Sequence, residues 1–171
     1  MCARCGEFGS HRFAIAERAP QRLRGLVWEG TYAEAAAGAI HPLIEEMKIA
    51  AAAEDDPWSR MIIGISWNDR PDGFRYFVGI EAAEYMAPAA GHRLLSLPAM
   101  RFACVWHGPD DGDVVKHYGR MIDWIETEGQ ERDVSILHHR EEYPADFDLA
   151  GPPVLRVMLP LTPAGNLTSG A

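Results

Sequence analysis

Apolar positions along the chain follow two rhythms. Short runs rich in β-branched and aromatic residues, "HRFAIAERA", "LRGLVWE", "RMIIGISW" and "FRYFVGIE", sit between turn signals and predict strands, with "NDRPDG" from Asn68 to Gly73 turning between the last two. Between the second and third runs the spacing lengthens. Ala33, Ala36, Ala37, Ile40, Ile44, Met47 and Ala51 recur every three or four residues and line one helical face. Pro42 removes a backbone donor inside that stretch, so the helix is expected to kink or to begin late, near His41. The same order returns in "MRFACVWH", a helix on Val114, Tyr118, Met121, Ile122 and Ile125, then "DVSILHHREEY" and "PVLRVMLPL". Asp111 or Asp113 can cap the second helix and Gly129 can stop it. Each half reads strand, helix, strand, strand.

The halves also share letters. "APQRLRGLVWEGTY" and "LPAMRFACVWHGPD" align at an offset of 78, which puts Pro20 on Pro98, Val27 on Val105, Trp28 on Trp106 and Gly30 on Gly108. A duplicated module follows. Tight turns between strands imply antiparallel pairing, and helices packed on a sheet make the class α+β. One domain over residues 12–161 is expected, with halves at 12–81 and 97–161, a linker at 82–96, and tails at 1–11 and 162–171. "EFGS" in the first tail reads like a cloning junction, so that tail is expected to be disordered or vector-derived. The seam between the halves is a natural place for a ligand cleft.

Composition narrows the choices. With 171 residues, 47% of them apolar, the chain can bury one sizeable core. Acidic residues outnumber basic ones by 25 to 16, and the net charge of −9 disfavours direct nucleic-acid binding. No run approaches a membrane span, no signal peptide is legible, and a soluble, cytoplasmic protein is expected. Three cysteines do not make a disulfide framework: Cys104 reads as packing, and Cys2 with Cys5 forms a lone C-x-x-C.

No catalytic signature stands out. "GISWN" lacks the closing glycine of a nucleophile elbow, and no phosphate loop, paired C-x-x-C or H-E-x-x-H is present, so neither a cofactor nor a metal is expected. His138 and His139 are adjacent on an expected strand and point to opposite faces. Trp28 and Trp106, at matched repeat positions, serve either as core or, with Trp67, Tyr76 and Tyr143, as walls of a shared pocket. Alternation sends Glu141 and Glu142 to opposite faces, and periodicity does not say which one is inward.

The ordered set "IIGISWND", "RYFVGIE", "LPAMRFACVWHGP", "YGRMIDWIETEG", "REEYP" and "VLRVMLPL" resembles the GyrI-like small-molecule-binding domain, also called the AraC effector-binding domain. The resemblance covers about residues 12–161. It implies two strand-helix-strand-strand modules related by a pseudo-twofold axis around an aromatic cavity for lipophilic, often cationic molecules. A glutamate lies at the cavity's base in many members. The family's Glu-x-Tyr pattern falls on Glu141 and Tyr143, and its Tyr-x-x-Gly strand on Tyr76 and Gly79, while Trp67 stands where an aromatic commonly follows Gly-Ile. Glu142 is a departure, a second acid inside the pattern. With its first strand expected near Arg12, the chain is expected to lack the helix-turn-helix domain that many relatives carry in front.

Glu141 and Tyr143 are therefore expected to face a pocket and Glu142 to face out. The first expected function is a stand-alone binder of hydrophobic cations. The alternatives are a hydrolase of reactive small molecules in which Glu141 is the catalytic group, and an interaction protein resembling transcription regulators or the gyrase inhibitor behind the family's name, with gyrase as partner.

Overall fold

The structure, a computed structural model, describes residues 12–54, 61–83, 87 and 89–165. The first half holds β1 (Ala14–Arg18), β2 (Gln21–Thr31), α1 (Tyr32–Ala36), α2 (His41–Ala52), β3 (Ile62–Arg70) and β4 (Gly73–Glu81). The second holds β5 (Arg93–Leu97), β6 (Met100–His107), α3 (Val114–Thr127), β7 (His139–Tyr143) and β8 (Leu155–Leu161). All eight strands join one antiparallel sheet in the order β1-β6-β8-β7-β3-β4-β2-β5. Exchanging each strand for its counterpart in the other half reverses this order onto itself. The α+β class and the duplication are thus present, with the pseudo-twofold axis between β3 and β7.

Two elements depart from the expected layout. Residues 82–96, expected as a linker, supply most of β5, which pairs with β2 as β1 pairs with β6. Each half therefore lends its first strand to the other half's sheet edge. The β5 segment "RLLSL" is short and largely exposed, so it lacks the apolar run that marks the inner strands. The second departure is "DVSILHHREEY", of which only His139–Tyr143 is strand. Its leading part is pinned differently: Leu137 is buried, the Trp67 indole donates to the Ile136 carbonyl at 2.7 Å, and Asp133 accepts from the Ser135 amide at 3.0 Å.

The helices follow their local chemistry. Thr31 and Glu34 form a reciprocal capping box that starts α1, and Gly38 at φ 90° ends its turn before Pro42 opens α2. Pro42 thus yields two helices in place of one long one. Asp113 caps α3, and Gly129 stops it at φ 64°.

Both longer helices pack on the same sheet face. Ile44, Met47 and Ala51 of α2 bury against Ile62, Tyr76, Val78 and Ile80, while Met121 and Ile125 of α3 bury against Ala103, Val105, Leu155 and Val157. Each large apolar side chain removed from water there contributes about 1.5–3 kcal/mol. The opposite face closes around Ile63, Ile65, Phe77, Phe102, Leu137 and Met158.

Register corrects the repeat. Leu26 stands opposite Val78, and Val105 stands opposite Val157, so the structural offset in these strands is 79 and not 78. Trp28 then corresponds to His107, and Trp106 corresponds to Val27. A one-residue slip sends a side chain to the other face of a sheet, so the two tryptophans that align by letter lie on opposite faces.

Candidate functional site

The axis between β3 and β7 passes through the pair Gly64 and Glu141, which are directly opposite one another. On the helix face one half thus supplies a carboxylate and the other supplies no side chain. The space at Gly64 is used. A Cβ there would lie 2.1 Å from the Tyr76 hydroxyl, which instead reaches Glu141 Oε2 at 3.2 Å. Tyr143 donates to the same oxygen at 2.6 Å, and Tyr118 of α3 donates to Oε1 at 3.1 Å. Three phenols from β4, β7 and α3 therefore converge on one partly buried carboxylate, and among the described residues Glu141 has no ion pair.

The electrostatics keep the phenols protonated. Burial, followed by the neighbouring Glu141 charge, pushes Tyr76, Tyr118 and Tyr143 well above the ordinary tyrosine value. They are donors, not bases. His139, edge-on to Tyr118 at 5.0 Å, is lowered to about 4 by burial first and then by Arg132 and His138, so its imidazole is neutral at pH 7.

Three cavities, of about 400, 240 and 350 Å³, share Glu141 as a wall residue. They fall between the two helix systems, with Ile44 and Phe147 on one side, Phe74 and Tyr76 behind, and Val115 and Tyr118 on the other. The two larger ones, of about 400 and 350 Å³ and with mainly apolar walls, have the size of small-molecule sites. Trp28 is in ring contact with Phe74 at 5.3 Å, and Phe74 with Tyr76 at 6.3 Å, so Trp28 ends an aromatic chain leading from the carboxylate. A further cavity of about 520 Å³, lined by Arg18, Met100 and Arg101, lies away from Glu141.

The expected residues accordingly divide. Glu141, Tyr143 and Tyr76 are brought together, and Trp28 joins them at second hand. Trp67 and Trp106 are not: strand alternation places both on the opposite face, where Arg75 stacks on Trp67 at 4.8 Å and Trp106 pairs with Arg156. Tyr118 was missed because its place in the helical period reads as core, and Phe74 because it opens a strand. His138 precedes β7 and accepts from the Asn68 amide at 3.2 Å. Cys104 is buried and forms no disulfide among the described residues, while Cys2 and Cys5 fall outside them.

Glu142 requires a correction. It does leave the Glu141 face, but it is fully buried rather than solvated. Arg18 grips it bidentately at 2.8 and 2.9 Å, Arg140 donates at 2.9 Å, and Arg156 donates at 3.3 Å. Burial alone would raise its carboxyl. Arg140, Arg18 and Arg156 outweigh burial and hold it down to about 2. Arg18 of β1 reaches Glu142 of β7 across the two intervening strands, a meeting of residues 124 positions apart that no local pattern announces.

An α+β duplicated sheet with a carboxylate on its axis and an aromatic cavity around it has the form of a small-molecule-binding domain. The chain belongs to the GyrI-like family, since residues 11–161 match the model of the GyrI-like small molecule binding domain. Its fold is shared with SAV2435, solved bound to tetraphenylphosphonium, at a TM-score of 0.65 and 14% identity over 88% of this chain and 94% of that one. The C-terminal domain of EcmrR matches at a TM-score of 0.62 and 12% identity over 90% and 98%. A hydrolase from Listeria innocua matches at 0.61 and 13% over 93% and 96%. No curated protein sequence matches significantly. Among the described residues no helix is long and apolar enough to cross a membrane.

Proposed function

We propose that the chain is an effector-binding protein that takes a lipophilic cation against Glu141 and relays the bound state to a regulatory partner. The observation that carries this reading is the three-phenol carboxylate, without an ion pair among the described residues and set among aromatic walls. Phenol donors satisfy the oxygens of Glu141 but leave its net charge intact, and a cation is what that charge and the ring faces both attract. A bulky cation whose charge is shielded by hydrocarbon groups costs little to desolvate, so an apolar cavity can accept it where it would refuse a compact ammonium. The fold shared with a phosphonium-bound protein and with EcmrR, which is also solved in complex with DNA, supports the same reading.

Titration with tetraphenylphosphonium, followed by calorimetry and tryptophan fluorescence, tests it. Binding in the micromolar range is expected, weakened by about 1–3 kcal/mol in Glu141→Gln, the worth of a charged hydrogen-bonding group. Failure to bind any of a varied set of lipophilic cations, or equal affinity in the variant, would overturn it.

One distance favours a second reading, hydrolysis. The Tyr143 hydroxyl lies 2.6 Å from Glu141, and a carboxylate with a phenol so close can take a proton from water while the phenol stabilises an oxygen leaving group. Turnover of a strained-ring electrophile that is abolished in Glu141→Gln and in Tyr143→Phe, with the fold intact, would promote this reading over simple binding.

A further inference from the structure

Away from the Glu141 cavity, the β6–α3 connection brings three metal-ligating side chains together. His107 ends β6, Asp111 lies in the turn, and His117 sits one turn into α3; one donor atom from each lies within 4.8 Å of the others. We infer that His107, Asp111 and His117 form a binding site for a zinc-class divalent cation, which clamps the start of α3 to the end of β6.

The donor set suits that class. Two imidazoles and one carboxylate, with water completing the shell, are ligands for Zn²⁺ and its first-row neighbours, whereas Ca²⁺ and Mg²⁺ take oxygen. Both imidazoles are buried, at 0% and 4% exposure, which is where a histidine pair needs a reason. Their Nδ1 atoms are 2.9 Å apart, so one proton at most lies between them and at least one ring presents a lone pair inward. His107 Nε2, across the ring from that pair, is buried with no hydrogen-bond partner among the described residues.

Geometry needs only a small adjustment. Metal–ligand bonds of about 2.0–2.2 Å in a tetrahedron separate donor atoms by about 3.3 Å, close to the 2.9 Å of the histidine pair. Asp111 is the movable member. It is half-buried in a turn, where one of its oxygens accepts from the Gly108 amide at 2.7 Å and orients the carboxylate. Phe13 lies edge-on to His117 at 6.0 Å and against Trp124 at 5.7 Å, an apolar cover that keeps bulk water off the ligands. The next residue after His117 is Tyr118, whose hydroxyl holds Glu141, so a clamp here also fixes a wall of the cavity.

The experiment uses the full-length, tag-free chain, freed of metal with EDTA and titrated with Zn²⁺ by calorimetry and with Co²⁺ by visible absorption. One equivalent is expected to bind in the micromolar range or tighter, with the d–d bands of a low-coordinate site and a raised melting temperature. Asp111→Asn and His117→Gln should each weaken binding tenfold or more, and Cys2→Ser/Cys5→Ser should leave it unchanged. Circular dichroism of Asp111→Asn, a half-buried turn substitution, separates lost ligation from lost folding. No binding up to millimolar Zn²⁺, affinity unaltered in Asp111→Asn and His117→Gln, or loss of the site in the cysteine variant would each overturn the inference.

Discussion

Replacing Glu142 by glutamine should cost the protein far more than replacing Glu141, although the two are neighbours of the same type. Glu142 is fully buried among Arg18, Arg140 and Arg156, and its carboxyl is held at about 2 against an ordinary value of 4.5. That difference, at about 1.4 kcal/mol per unit, corresponds to roughly 3 kcal/mol of stability at neutral pH. Removing the charge while leaving three buried guanidiniums falls in the same range, about 3–5 kcal/mol. The sign is fixed by the direction of the shift. A carboxyl depressed in the folded state contributes fully above pH 4.5 and loses its contribution as the pH falls toward 2. Urea denaturation of the wild type and Glu142→Gln at pH 7 and pH 3 reads this out. The gap in unfolding free energy should be about 3 kcal/mol at pH 7 and about half that or less at pH 3. A gap under about 1 kcal/mol at pH 7, or one of the same size at both pH values, would refute the three-arginine account.

Other outcomes follow from the same geometry. Gly64→Ala places a Cβ 2.1 Å from the Tyr76 hydroxyl and should destabilise by about 1–3 kcal/mol, and adding Tyr76→Phe should recover part of that loss in thermal melts. Any tetraphenylphosphonium-induced change in tryptophan fluorescence should be reduced in Trp28→Phe and persist in Trp67→Phe and Trp106→Phe, because of these three only Trp28 shares the Glu141 face. His139, lowered to about 4 from 6.5, stays neutral in the folded state, so its contribution to stability is present above pH 6.5 and is lost as the pH falls toward 4. An NMR titration of its ring proton with a midpoint near 6.5 would contradict that environment.

Local pattern by itself determined the class of element nearly everywhere, because helix and strand each impose a period on apolar positions that a single chain displays without a partner. Pro42, Asp113, Gly129 and the turn before Gly73 carried their meaning in their own chemistry. The order of elements and their duplication were equally legible, and with them came the α+β class and the family. What sequence left open was everything that depends on which strands meet. Strand β5 hid in a presumed linker because an edge strand needs only one apolar neighbour and so shows little periodicity. Trp106 matches Trp28 by letter yet lies on the other face, since register is set by pairing across the sheet and a slip of one residue reverses every side chain. Alternation separated Glu141 from Glu142, but it carried no information on what each would meet. Tyr143 and Arg140 lie two residues away on the same strand, but only the folded sheet brought Tyr76 and Tyr118 to Glu141 and Arg18 and Arg156 to Glu142, because those partners come from other elements of the chain. The convergence of His107, Asp111 and His117 has the same origin: ten residues of chain must turn back from β6 into α3 before two buried imidazoles can touch.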